Sequence, residues 1–168
     1  MKRKLCMLIV LLTIAGCKNS DKGFQKIITT EDGRETTQAI SDNERFVNSG
    51  VFAYNVQYAH FSTNQIESKG VCDLEKFQAE FNNFKWKEQL TEANIRGTVS
   101  PTISVRHNPS KYEMGISVVG NDSTDYGFWI FFGKSGKMGL VEVLDEASVR
   151  PYIAKFFDKE FENLQAEF

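Results

Sequence analysis

The chain has 168 residues, 41% of them hydrophobic and 12% aromatic, with 20 basic residues against 22 acidic ones and a net charge of −2. That length and apolar content suit a single folded domain with room for a proper core. The acidic balance argues against nucleic acid or anionic headgroups as general partners.

Met1-Lys2-Arg3-Lys4 carries three positive charges and no acid, and an apolar run from Leu5 to Ala15 follows it. As a helix that run would be roughly 16 Å long, against the roughly 30 Å of hydrocarbon that a spanning helix must cross. The polar stretch Lys18-Asn19-Ser20-Asp21-Lys22 then ends it abruptly. Charge, apolar length and small residues before Cys17 are those of a secretory signal rather than of a membrane span. The segment Ile14-Ala15-Gly16-Cys17 resembles the lipobox of bacterial lipoproteins. That resemblance covers the first seventeen residues alone. It implies cleavage between Gly16 and Cys17, acyl chains on Cys17, and a membrane anchor outside the cytoplasm. More than one chain is needed because each buried methylene contributes only about 0.8 kcal/mol. Lys18 after the cysteine, where aspartate is the alternative, is similar to the outer-membrane pattern of some bacteria.

Loss of residues 1–16 would leave 17 basic residues against 22 acidic ones, a net charge of −5. Cys6 would leave with the signal and lipid would occupy Cys17, so Cys72 would stand alone, with no intramolecular disulfide to form. Cys72 itself reads as a small apolar residue at a helix start rather than a reactive thiol. Residues 17–45 read as a lipidated N-terminus and a polar tether, in which Phe24, Ile27, Ile28 and Ile40 are the sizeable apolar residues. One globular domain is expected over 46–168.

Within it, Phe52, Tyr54, Val56 and Tyr58 alternate with Ala53, Asn55, Gln57 and Ala59, which predicts a half-buried strand over 51–61. A helix burying Phe52, Val56 and Ala59 is the alternative. Leu74, Phe77, Phe81 and Phe84 recur at helical spacing behind Asp73, a good N-cap, and predict a helix over 74–90. Four strands follow: Thr102–Arg106, Tyr112–Val118, Tyr126–Phe132 and Met138–Leu144. Short turns at 107–110, 121–123 and 134–137 make them an antiparallel meander. Tyr126–Phe132 is apolar on both faces, as in a strand covered on both sides. Ile153, Phe157, Phe161, Leu164 and Phe168 predict a last helix from about 151, with a looser turn from Asp145 because Pro151 is tolerated only near a helix start. The expected fold is α+β, a four- to five-stranded antiparallel sheet packed with two amphipathic helices.

Catalytic patterns are scarce. His60 and His107 are the only histidines, and no H-x-x-x-H or C-x-x-C pair accompanies them, so neither metal nor cofactor is expected. No G-x-S-x-G elbow frames a serine. Gly133-Lys134-Ser135-Gly136-Lys137 fails as a phosphate loop, because Phe131 stands where the first glycine belongs and Met138 where a serine or threonine does. Glu113 and Glu142 on neighbouring strands could be paired carboxylates, but exposed strand faces ordinarily carry such charges. Trp86 and Trp129 lie off the clean core stripes and are candidate partner-binding residues. The expected function is therefore a non-enzymatic binding domain on a lipid-anchored envelope protein, with a protein as its partner. By analogy with small acidic immunity lipoproteins it would neutralise a toxin or effector. An assembly lipoprotein of an envelope complex is the second reading, and an envelope hydrolase the third.

Overall fold

The computed structural model describes residues 23–30, 32–134 and 137–168. The segments read as a signal and a lipobox, with Gly16 and Cys17, and the centre of the 134–137 turn lie outside the described residues. In chain order the elements are β1 (Phe24–Thr29), β2 (Glu35–Ile40), a 3-10 turn (Asp42–Arg45), β3 (Phe52–Gln57), β4 (Gln65–Cys72), α1 (Leu74–Asn83) and α2 (Trp86–Arg96). Then come β5 (Thr102–His107), β6 (Tyr112–Gly120), β7 (Tyr126–Lys134), β8 (Lys137–Val143), α3 (Glu146–Phe157) and α4 (Phe161–Glu167). The strands make one eight-stranded sheet in the order β2-β1-β4-β3-β5-β6-β7-β8. Only β1 against β4 is parallel, so the sheet is mixed.

The expected four- to five-stranded antiparallel sheet is thus corrected to eight strands. The meander β5 to β8 is antiparallel as expected, and 51–61 takes the strand alternative over Phe52–Gln57 alone, buried on both faces rather than one. The additions are β1, β2 and β4. β1 and β2 lie in the stretch read as a tether, where Ile40 is the one buried side chain of the two strands. β4 buries only Ile66. Strands this polar have no apolar alternation to betray them, because they hold the sheet by backbone pairing at one margin. Gly70, with φ of 81°, sits where β4 carries an extra residue against β3, a bulge that suits a residue without Cβ.

Helices cover one side of the sheet. Phe52, Tyr54 and Val56 of β3, Ile103 and Val105 of β5, Met114, Ile116 and Val118 of β6, and Phe128, Ile130 and Phe132 of β7 meet Phe77, Phe81, Leu90, Ile153, Phe156 and Leu164 in one core. Two expected helices are four. The 74–90 helix breaks at Lys85, which is left-handed at φ 49°. Phe84 and Trp86, two residues apart, cannot share a helical face, and the break buries both, with ring centroids 4.3 Å apart. The indole Nε1 of Trp86 donates to the Phe81 carbonyl at 2.9 Å. The C-terminal helix likewise breaks at Lys159, φ 62°, which lets Phe156 and Phe161 meet edge to face at 5.4 Å. α3 begins earlier than expected, at Glu146, capped by Asp145, whose Oδ1 accepts from the Ser148 N–H at 2.7 Å. Pro151 is therefore inside the helix. It is exposed there, and the carbonyl four residues back loses its usual partner.

Phe156 is fully buried between Phe52, Phe132 and Phe161. Phe156→Ala should cost about 3–5 kcal/mol in urea denaturation through lost transfer energy and a cavity. Glu162→Ala, on the exposed side of α4, should change stability by less than about 0.5 kcal/mol. Equal effects at the two positions would contradict this packing.

Candidate functional site

Among the described residues the other side of the sheet carries no helix. Because side chains alternate across a strand, the registers align its residues in rows. One row is Ser104, Gly115, Phe131 and Leu140; a second is Thr102, Ser117, Trp129 and Glu142; a third is Arg106, Glu113, Gly133 and Met138. The segment 41–50 crosses the β3–β5 half of this side. It starts with a capping box, Glu44 Oε2 accepting from the N–H and the hydroxyl of Ser41 at 2.8 and 2.7 Å.

Arg106 fixes that segment. It is only 2% exposed. Its Nε donates to Asn108 Oδ1 at 3.1 Å, Nη1 to the Asn43 carbonyl at 3.2 Å, and Nη2 to the Phe46 carbonyl at 3.3 Å and Asn48 Oδ1 at 3.1 Å. Its guanidinium carbon lies 4.7 Å from the centre of the Phe46 ring, a cation–π contact. Burial pulls the Arg106 pKa down, and the Glu113 carboxylate opposes this. Asn108 continues the line, its Nδ2 donating to the carbonyls of Val47, Ser49 and Gly50 at 3.0–3.2 Å. Arg45 ties the same segment to β6. Its Nη2 donates to Glu113 Oε2 at 2.8 Å and its Nε to Asp42 Oδ1 at 2.6 Å, while its guanidinium stands 4.6 Å from the Phe24 ring of β1.

No described element covers the β6–β8 half of this side. A depression of about 340 Å³ lies at the boundary, lined by Asp42, Arg45, Ser104, Glu113, Phe131 and Met138 among others. Beyond it Trp129, Met138 and Leu140 are 39%, 43% and 49% exposed. Tyr126–Phe132 is therefore covered on its helix side alone, which corrects the expectation of two covered faces. Among the described residues β8 pairs with β7 alone and is an edge of the sheet.

Of the sequence candidates, Trp129 lies on this face and Trp86 does not, being core. Glu113 is buried in the Arg45 ion pair, whereas Glu142 is exposed opposite Trp129, and the registers place them in different rows. Cys72 closes β4, and burial pushes its thiol up to about 12, far from the range of a reactive thiolate. His60 is exposed and stacks on Tyr58. His107 is the last residue of β5, on the helix side, between the rings of Phe52 and Phe161 at 5.0 and 5.1 Å. Its Nδ1 and the Ser110 hydroxyl are 2.7 Å apart. That contact closes the 107–110 turn, and among the described residues no acid is hydrogen-bonded to the ring to complete a relay. No group of three His, Cys, Asp or Glu residues among the described residues could hold a metal ion, and no described helix is long and apolar enough to cross a membrane.

Sequence reasoning passed over Arg45, Arg106 and Asn108. The one signal for Arg106 is a charge at an alternate position of a short strand, Ile103-Ser104-Val105-Arg106, and that is ordinary for an exposed face. The chain matches no protein-family model, and neither a curated protein nor a solved structure is significantly similar to it.

Burial lowers the His107 pKa below the ordinary 6.5, and the charge of Lys159 adds to the effect. The unfolded chain then takes up the proton first as pH falls. The contribution of the neutral ring is complete above pH 6.5 and is lost as pH drops towards the folded-state pKa. His107→Phe, which keeps an aromatic ring between Phe52 and Phe161, should flatten the acid side of a Tm-against-pH curve. An unchanged acid slope would contradict this assignment.

Proposed function

We propose that this chain is a lipid-anchored protein of the bacterial envelope, held by acyl chains on Cys17, whose folded part binds a protein partner rather than catalysing a reaction. Neutralisation of a toxin or incoming effector is its most specific form. The observation that carries the reading is the exposed apolar band of Trp129, Met138 and Leu140 beside the open edge of β8. Large apolar side chains grouped on one face of a small domain favour association, and an unpaired strand edge offers a row of backbone donors and acceptors. The two together suit an extended segment of the partner, added beside β8 with its side chains against Trp129 and Leu140. The polar lipobox flank and the acidic balance of the chain fit a domain displayed in water beside a membrane.

A photo-crosslinking amino acid in place of Leu140, in the full chain in its own cells, should give one adduct of defined mass. The same group in place of Glu92, on α2, should not. Trp129→Ala should abolish the adduct without lowering Tm, and Cys17→Ala should move the protein out of the membrane fraction and remove acyl labelling. Adducts equal at both positions would sink the partner reading, and unchanged fractionation of Cys17→Ala would sink the anchor.

A further inference from the structure

The depression beside Arg45 has a composition unlike the apolar band next to it. Its lining includes Gly115, a buried residue between Ser104 and Phe131 in the ladder. One wall is polar, with Asp42, Arg45, Glu113 and Ser104; the other is apolar, with Phe131 and Met138. The charges balance, since Arg45 and Arg106 face Asp42 and Glu113. A balanced cluster has no net attraction for a free anion or cation.

Glu113 is nine-tenths buried, with 10% of its side chain exposed. Its Oε2 takes Arg45, while its other oxygen, the Nη1 of Arg45 and the Ser104 hydroxyl accept or donate no hydrogen bond among the described residues. Every fully buried side-chain nitrogen and oxygen has a partner, so these three atoms are not fully buried, and all three residues line the depression. A carboxylate oxygen beside a guanidinium N–H presents an acceptor and a donor side by side, held by their own ion pair. A vicinal diol matches that pair, one hydroxyl donating to the carboxylate and its neighbour accepting from the guanidinium. The apolar C–H face of a sugar ring then lies towards Phe131, whose ring carries a negative face. The volume of about 340 Å³ is at the small end of the roughly 300–1,000 Å³ typical of ligand sites.

We propose that this depression binds a neutral saccharide ring, with a vicinal diol on the Arg45–Glu113 pair and the ring face on Phe131. The assignment depends on neither the anchor nor the protein partner. Gly115 supplies the cleanest test. A Cβ there would meet Ser104 Oγ at 3.3 Å and Phe131 Cδ2 at 3.8 Å, and the free Ser104 hydroxyl can turn aside. Gly115→Ala therefore adds a methyl group to the lining while the strand remains, and removing a strand glycine favours the fold.

Calorimetric titration of the full chain in detergent micelles should use glucose, galactose, mannose and N-acetylglucosamine. Sulfate, lysine and acetamide are the anionic, cationic and amide controls. At least one sugar should bind saturably in the millimolar range or tighter. Gly115→Ala should weaken it tenfold or more with no loss of Tm, and Leu140→Lys should leave it unchanged while disturbing the partner face. Saturation by none of the four sugars, a Gly115→Ala variant that binds as well as the wild type, or equal binding of a control would each overturn the proposal. Loss of binding in Leu140→Lys would instead place the sugar on the apolar band and overturn it too.

Discussion

A guanidinium buried in the middle of the sheet is the constraint on which the open face depends. Taking a charge out of water costs several kcal/mol unless its hydrogen bonds are replaced. Arg106 replaces them mainly with groups of the segment that crosses over it: the carbonyls of Asn43 and Phe46, and Asn48 Oδ1. The charge and the segment therefore require each other. Without the segment Arg106 would lose those acceptors, and without Arg106 the carbonyls of Asn43 and Phe46 would lose that donor, leaving Asn55 on the Arg45 carbonyl and Asn108 on those of Val47, Ser49 and Gly50. Glu113, opposite Arg106 in the ladder, brings Arg45 into the same cluster. Thus a charge pair on β5 and β6 decides where the 3-10 turn sits.

That placement divides the helix-free side of the sheet in two. Over β3 and β5 the segment buries Phe46 and the polar residues beneath it. Over β6 to β8 nothing in the described residues covers Trp129, Met138 and Leu140. The depression forms on the line between the halves, beside Asp42 and Arg45 of the segment. Its polar wall is a by-product of holding the segment down, and its apolar wall is the start of the uncovered band. The proposed partner face and the proposed small-molecule pocket are adjacent for this reason, and Met138 borders both.

How much of this was legible in the sequence follows from where each signal comes from. The strands β5 to β8 were legible because a one-sided core imprints alternation on Tyr112, Met114, Ile116 and Val118. The core faces of the helices were legible for the same reason, through Phe77 and Phe81 or Ile153 and Phe157. The two helix breaks were not, because the left-handed residues are Lys85 and Lys159, and lysine, unlike glycine, does not announce that conformation. β1, β2 and β4 were missed since their polar side chains are shaped by pairing at the sheet margin rather than by burial. For the site, Trp129 and Glu113 could be picked out as unusual residues. The role of Glu113 could not, because its partner Arg45 is 68 residues away. Arg106 and Asn108 bond mostly to backbone carbonyls, which leave no trace in residue identity. The resemblance to a lipobox was the most specific signal in the sequence, and it belongs to residues outside the described structure.

The dependence of the segment on Arg106 is tested most directly by amide hydrogen exchange in wild type and Arg106→Met, a variant that retains volume but donates no hydrogen bonds. Ser41 and Glu44, whose N–H groups bond within the 41–44 turn, report on the segment. Amides in the β6–β7 ladder report on the sheet. If Arg106 holds the segment, the variant exchanges Ser41 and Glu44 at least tenfold faster while the ladder keeps its protection. Unchanged exchange at Ser41 and Glu44 in a folded variant would show that the segment stays in place without the buried charge, and would contradict the account.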